Sequence, residues 1–258
     1  MFFAPPGKLK RLGVVGLNQR NGDYISKLNR RSDYPKVDNK LITKQLAVSA
    51  GIAVPELYAV VETNHDAQRL ASLLAPYQDF VIKPAHGSGG EGIVVVDGRQ
   101  GKLFRKASGQ LVTLASLEHH VGNILSGMYS LGGQPDHAMI EYRVRFDPLF
   151  KDITFQGVPD IRTIVFKGYP VMAMVRLPTR TSDGKANLHQ GAVGAGINIA
   201  TGVTHHGVFN SLKIDHHPDT GHPIGGHAIP QWDVLLRLAA GCYELTGLGY
   251  LGVDVVLD

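Results

Sequence analysis

Apolar positions recur with a helical period in several stretches of the chain. Over 39–50, Leu41 and Val48 stand seven apart and Ile42 and Leu46 four apart, so they share one helix face. Asp38 precedes them as an N-cap, Gly51 supplies the stop and Pro55 follows. Ala67, Leu70, Leu73 and Leu74 predict a helix over 65–75, and similar spacing predicts helices over 113–126 and 230–246. Short apolar or alternating runs predict strands at 55–61, 80–84, 93–96, 138–144, 160–166, 170–176 and 250–257, with a tight turn at Lys167-Gly-Tyr169. Residues 1–37 are polar and predict an irregular lead-in with one helix, and 181–200 predict a loop rich in Gly, Asn and His. Strands and helices are mixed, with several hairpin-like pairs. This favours an α+β, or mixed α/β, fold over a doubly wound sheet.

Composition narrows the class. At 258 residues the chain has room for one large domain or two small ones, and 43% apolar against 19% charged residues excludes wholesale disorder. No apolar run approaches the ~20 residues of a membrane-spanning helix, and the first residues lack a secretory pattern. A single cysteine, Cys242, excludes an intrachain disulfide framework and points to a reducing cytoplasm; its apolar helical setting reads as core. The net charge of +4 suits an anionic ligand. It does not argue for nucleic acid, because the densest basic cluster, 27–36, also holds Asp33, Tyr34 and Pro35. Histidine is frequent, 12 residues, but in the pairs His119-His120, His205-His206 and His216-His217 neighbours on a strand point to opposite faces and cannot easily chelate one ion, with Asp215 and Asp219 beside the last pair the one conceivable surface metal site.

Four stretches could carry chemistry. Val81-Ile-Lys-Pro-Ala-His-Gly-Ser-Gly-Gly-Glu-Gly-Ile-Val94 delivers a lysine from a strand into a small-residue loop, where converging backbone N–H groups can cradle phosphate. It is neither a Walker A loop nor a dinucleotide fingerprint, since no Gly-Lys-Ser/Thr closes it and a strand follows. Met139-Ile-Glu-Tyr-Arg-Val144 puts a carboxylate at the end of an apolar strand, where it could accept from an adenine amino group. Asp160-Ile-Arg162, Arg176 and Asn187-Leu-His-Gln-Gly191 bring arginines and an amide to strand ends, and Arg suits planar carboxylates and phosphates. Gly252-Val-Asp-Val-Val-Leu-Asp258 sets Asp254 and Asp258 on one strand face, and one of them could hold Mg²⁺ beside phosphates. No nucleophile–base pair or Gly-x-Ser-x-Gly elbow suggests a hydrolase.

Taken in order, Asp38-Asn-Lys-Leu-Ile-Thr-Lys44, Gly51-Ile-Ala-Val-Pro55, Val81-Ile-Lys-Pro84, the Gly87–Gly92 loop, Glu141-Tyr142, Asp160-Ile-Arg162, Arg176, Asn187-Leu-His-Gln-Gly191 and Gly252-Val-Asp254 resemble the ATP-grasp superfamily. The nearest likeness is to its alpha-L-glutamate ligase-like branch, related to the ribosomal-protein glutamate ligase, and Asn18-Gln-Arg-Asn21 with Asn29-Arg-Arg31 resembles that branch too. The resemblance implies two α+β lobes clasping ATP, over 55–140 and 141–258, after an N-terminal segment and lead-in helix at 1–54. By the same resemblance Lys40 and Lys83 bind the nucleotide phosphates, and the amides of Ser88, Gly89, Gly90, Glu91 and Gly92 cover them as a mobile lid. Glu141 and Tyr142 form the adenine hinge, Asp160 reaches the ribose, Arg162, Arg176 and Asn187 line the γ-phosphate and acyl-phosphate site, and Asp254 ligates Mg²⁺, for which Mn²⁺ can substitute. His189 falls inside the Asn187–Gly191 motif and would face substrate.

The implied activity is an ATP- and Mg²⁺-dependent carboxylate–amine ligase acting through an acyl phosphate and releasing ADP. Its partners would be a peptide or protein carboxylate and an amino-acid amine donor such as glutamate. Two rivals stay open: a nucleotide-binding protein without ligase activity, and an ATP-grasp ligase for a small metabolite or cell-wall precursor. The family's Glu-x-Asn pair, on the strand after Asp254, has no counterpart before Asp258, so the sequence predicts a C-terminally shortened version whose final metal-binding strand is missing.

Overall fold

The computed structural model describes residues 4–87 and 89–258, apart from the side chain of Leu131. It is a mixed α+β protein with two six-stranded antiparallel sheets, the class the sequence predicts. The first sheet is built from β1 (Leu57–Val61), β2 (Phe80–Pro84), β3 (Val94–Gln100), β4 (Leu103–Lys106), β5 (Leu111–Val112) and β6 (Ala138–Glu141), in the order β1-β6-β2-β3-β4-β5. The second contains β7 (Asp160–Phe166), β8 (Tyr169–Leu177), β9 (Val193–Ile197), β10 (Thr204–Phe209), β11 (Leu212–Ile214) and β12 (Tyr250–Val255), in the order β11-β10-β9-β8-β7-β12. The three longest helices are α1 (Lys40–Ser49), α2 (Leu114–Leu125) and α3 (Trp232–Thr246).

Each sheet closes its own core. Phe80, Ile82 and Val96 of the first sheet bury against Leu117, Val121 and Ile124 of α2 and Leu70 and Leu74 of a short helix. The alternation along β7 is complete: Ile161, Thr163 and Val165 point inward while Asp160, Arg162, Ile164 and Phe166 do not. Val175, Leu177, Val193 and Ala195 join Ile161 over Trp232 and Leu235 of α3. The inward half of each strand therefore supplies hydrophobic stabilisation, roughly 1.5–3 kcal/mol per large side chain, and the other half is free to present charge.

Several boundaries differ from the sequence reading. The N-cap of α1 is Asn39, whose side chain accepts from the Leu41 and Ile42 amides; Asp38 closes a separate turn, Pro35–Asp38. Capping by Asn39 sets Lys40 at the first helical position. The expected helix over 65–75 is two short ones, Asn64–Ala67 and Leu70–Leu74, the first fixed by a Thr63–Asp66 capping box. The lead-in is largely helical rather than irregular, with turns at Pro6–Arg11, Leu17–Gln19 and Ser26–Leu28 and a π-helical turn at Arg20–Ile25 between the last two. Part of it is tied to the second sheet. Asn29 exchanges side-chain hydrogen bonds with the backbone of Tyr250 (2.7 and 2.9 Å), and Tyr24 packs edge-on to Phe166. The 181–200 stretch is not all loop, because β9 lies inside it.

Candidate nucleotide site

The glycine loop leaves β2 and is held along its length. Lys40, at the start of α1, donates from its backbone to Ala85 O (3.0 Å) and from its ammonium to Ala85 O (3.4 Å) and Gly87 O. Gly87 bridges to Ser130. At the far end His120 of α2 bonds Gly92 O at 2.9 Å, and Gly92, with φ +73°, lies against the Tyr129 ring, where a Cβ would come within 2.6 Å. Gly89 and Gly90 also have positive φ, the backbone state that favours glycine. Ser88 lies outside the described residues, and Glu91 is exposed on the loop.

Below the loop, three lysines and one carboxylate form a half-buried cluster. Glu141, at the end of β6, has a side chain only 5% exposed, paired on one oxygen with Lys83 of β2 and at 3.1 Å on the other with Lys44 of α1. Pairing follows from register and period. Lys83 and Glu141 project from adjacent strands, and Lys40 and Lys44 stand four apart on one helix. Burial lowers the Lys40 pKa first, and the neighbouring positive charge of Lys83 lowers it further, against opposing fields from Asp136 and Glu141. The Lys40 and Lys83 ammonium groups thus share one electrostatic environment. Lys44 is also pushed down by burial, partly offset by Glu141.

The structure places Glu141 between Lys83 and Lys44, and its second carboxylate oxygen, although 3.1 Å from the Lys44 ammonium, is buried without a hydrogen-bond partner among the described residues. The Tyr142 amide donates to Glu56 O at 2.8 Å, so it too is engaged. The next amides, of Arg143 and Val144, have no acceptor among the described residues.

On the second sheet, alternation and register assemble a cross-strand charge ladder. Asp160 stands opposite Arg176, and Asp254 opposite Arg162. Arg162 grips Asp254 with two hydrogen bonds of 2.5 Å, Arg176 grips Asp160 with two, and Arg176 also reaches Asp254 at 2.9 Å. Burial pushes the Asp160 pKa up, a rise opposed by the Arg176 guanidinium. Asn187 caps the turn Leu188–Gln190 and donates to Gly89 O at 3.2 Å, while the Lys185 stem approaches Gly90. These contacts join the glycine loop of the first sheet to the loop that follows β8 of the second. His189 is exposed on that turn.

Among the described residues no group of three or more His, Cys, Asp or Glu could hold a metal. Asp254, 40% exposed, is a hard oxygen donor whose two oxygens face guanidinium groups. This set fits an ion that arrives with phosphate oxygens, since Mg²⁺ is usually held through one or two carboxylates plus substrate phosphates. It does not form an all-protein cage. Cys242 is half-buried in α3 and burial raises its thiol pKa, in keeping with core. No helix of the described residues is long and apolar enough to cross a membrane.

Sequence reasoning did not single out Lys44 or Asp136. Lys44 had a signal, four residues from Lys40 on a helix. Asp136 had none, because its partners are the local backbone amides and His86.

Comparison with solved structures gives similarity to the D-alanine–D-alanine ligase of Bacillus anthracis (15% identity, TM-score 0.46, 98% of this chain and 60% of that one). It also gives the ATP-grasp ligase PsnB in complex with a minimal precursor (13%, 0.41, 90% and 51%) and the D-cycloserine synthetase DcsG (15%, 0.41, 86% and 58%). The chain spans between 51% and 60% of the length of these three. The comparison with curated proteins finds no match. The sugar-transfer associated ATP-grasp family matches residues 19–258, which takes in every candidate residue above, and the chain belongs to that family.

Proposed function

We propose that this protein is an ATP-dependent carboxylate–amine ligase. The observation that carries the proposal is the Asn187–Gly89 contact, because it joins the glycine loop, which Lys40 also binds, to the loop that follows β8, the strand that carries Arg176. In this reading Lys40 and Lys83, with the amides of the glycine loop, hold the nucleotide phosphates. The Arg143 and Val144 amides, rather than the Glu141 carboxylate, meet the adenine edge. Asp160 lies toward the ribose. Arg162, Arg176 and Asn187 face the γ-phosphate, and Asp254 would hold Mg²⁺, which when bound would supply shielding of the phosphate charge.

Phosphoryl transfer needs positioning and cations rather than a protein nucleophile. A substrate carboxylate oxygen attacks the γ-phosphorus, and the bond from that phosphorus to the β-phosphate oxygen breaks, releasing ADP and leaving an acyl phosphate. An amine nitrogen then attacks the acyl carbon. The carbon–oxygen bond to phosphate breaks, phosphate leaves, and the amine proton passes to solvent or phosphate. Arg162 and Arg176 orient the transferring group, and closure of the glycine loop on Asn187 excludes water that would hydrolyse the acyl phosphate.

The narrower form of the proposal is addition of glutamate or another amino acid to a peptide or protein carboxylate. The family's association with sugar transfer favours a second form, in which the carboxylate or the amine is carried on a saccharide-containing acceptor. ADP release in the presence of Mg·ATP, measured with and without candidate carboxylates and amines, tests both. Release that needs both substrates supports a ligase. ATP binding with no such release leaves a nucleotide-binding protein instead. Lys83→Ala should weaken ATP binding strongly, and unchanged affinity in calorimetry would remove that lysine from the site.

A further inference from the structure

His86 sits inside the glycine loop yet has no role in the reading above. Its side chain is 41% exposed, and its Nδ1 lies 2.7 Å from Oδ1 of Asp136. The Asp136 side chain is completely buried. It accepts three hydrogen bonds, from the His86 amide (2.9 Å), the His137 amide (2.7 Å) and the His86 ring. A carboxylate fixed by two backbone amides cannot turn away, so it holds the imidazole as the Nδ1–H tautomer and leaves Nε2 outward, with no partner among the described residues. Lys40 binds the carbonyls on both sides of this residue, Ala85 O and Gly87 O. The ring is therefore mounted between a buried anion and the loop that the proposed function assigns to phosphate.

We infer that His86 is a phosphate-contacting residue. Protonated at Nε2 and anchored by Asp136, it donates to a nucleotide phosphate oxygen beside Lys40 and Lys83, and binding takes up a proton. The inference rests on the nucleotide reading of the cleft. Phosphate raises the proton affinity of a ring that touches it, and Asp136 stabilises the imidazolium so formed. The other charged or titratable groups on the elements packed here are Lys40 and Lys44 of α1, Lys83 of β2, Glu91 of the loop, His137 and Glu141 of the β6 segment, Glu118, His119 and His120 of α2, Tyr129 beside Gly92 and Lys185 beside Gly90. His86 alone among the histidines of this set combines an anchored Nδ1 with a side chain free at Nε2; His120 spends Nε2 on Gly92 O.

The test is calorimetry of Mg·ATP binding between pH 6 and 8.5 in two buffers of different ionisation enthalpy, on the wild-type chain and on His86→Asn. Asparagine keeps a donor at the Nδ1 position for Asp136 and removes Nε2. The expected result is proton uptake by the wild type near neutral pH and none by the variant. The variant's ATP affinity should fall about tenfold at pH 6.5 and stay within about twofold at pH 8.5, as for loss of one charge-assisted hydrogen bond. Equal proton uptake in both proteins assigns the proton to another group, such as His137 or ATP itself, and overturns the inference. Absence of ATP binding by the wild type at every pH overturns the nucleotide reading instead, and this inference with it. Asp136→Asn, if it folds, should reduce the uptake while leaving Lys83-dependent binding in place.

Discussion

The buried position of Glu141 makes a quantitative prediction. Its carboxylate is the common counter-ion of Lys83 and Lys44, whose side chains are themselves mostly shielded. Glu141→Gln keeps the volume and removes the charge, leaving two ammonium groups facing a neutral amide. Removing one partner of a buried ion pair costs about 3–5 kcal/mol, because the remaining charge stays desolvated. Here the lower end applies, since Lys44 retains the Pro55 carbonyl as an acceptor. A loss of about 3 kcal/mol in a domain of this size lowers Tm by roughly 6–12 °C. Lys44→Met, in contrast, leaves the Lys83–Glu141 pair intact and replaces a buried cation with an apolar chain, a change of about 1 kcal/mol or less. The double variant should cost less than the sum of the two, with a coupling of about 1–2 kcal/mol. Urea denaturation followed by circular dichroism measures all four corners of this cycle. If Glu141→Gln unfolds within about 0.5 kcal/mol of the wild type, the carboxylate is not the counter-ion. The adenine-acceptor role implied by the resemblance gives the opposite split, with stability kept and ATP affinity lost.

Arg176→Met should cost about 3 kcal/mol, because it strands the Asp160 carboxylate, whereas Asp254→Asn should change stability by about 1 kcal/mol or less, its pair with Arg162 being partly solvated; thermal melts separate the two. Gly92→Ala should destabilise the loop by about 1–3 kcal/mol, since it needs a positive φ and drives a Cβ against the Tyr129 ring, and hydrogen exchange across residues 85–94 should rise. Burial lowers the pKa of His120 and of His217, which bonds Pro178 O at 3.0 Å. The unfolded chain therefore takes up protons first as pH falls through about 6.5, so stability is complete above that pH and declines below it. His217→Gln should flatten the decline in denaturant midpoints measured from pH 7.5 to 5, and an unchanged slope would exclude His217 as a contributor.

What the sequence revealed depended on how plainly a residue's surroundings were written beside it. β2, β7 and β8 were legible because each side chain's face follows from alternation, and the tight turn at Gly168 fixed the pairing of β7 with β8. β9, Val193-Gly-Ala-Gly-Ile197, was not. Its outward positions are glycines with no side chain to show alternation, and the Leu188 side chain that folds back over Gly194 is not announced by the pattern. The helix expected through 65–75 failed at Gln68-Arg69, where the Thr63 cap completes a first turn and Arg69 leaves helical geometry. Within the candidate site, which residue types would meet was readable. The partner each one takes was not, because Arg162 and Asp254 are 92 positions apart and are joined by strand register alone.

A charge count then constrains how a nucleotide would enter. Three lysines, 40, 44 and 83, face two carboxylates, Glu141 and Asp136; two arginines face two aspartates in the ladder. The surplus is one positive charge, and Lys185 beside Gly90 adds a second. A triphosphate brings roughly four negative charges and has little covalent chemistry to offset them. Burying it against so small a surplus, even with the proton that His86 is inferred to take up, would leave about one uncompensated anionic charge in a partly dry site, where charge is costly. The two arginines of the ladder are already paired, so in the proposed function they would reach phosphate by exchange of partners, and Asp254, the more exposed aspartate, is the one whose arginine contacts can be surrendered. Under the proposed function a released Asp254 would be a free carboxylate beside phosphate, which is a divalent cation's preferred setting. On this account, omitting Mg²⁺ should weaken ATP binding far more in the wild type than in Asp254→Asn, where the released ligand is neutral. Equal losses in the two proteins would mean that the ion binds elsewhere and that the ladder stays closed.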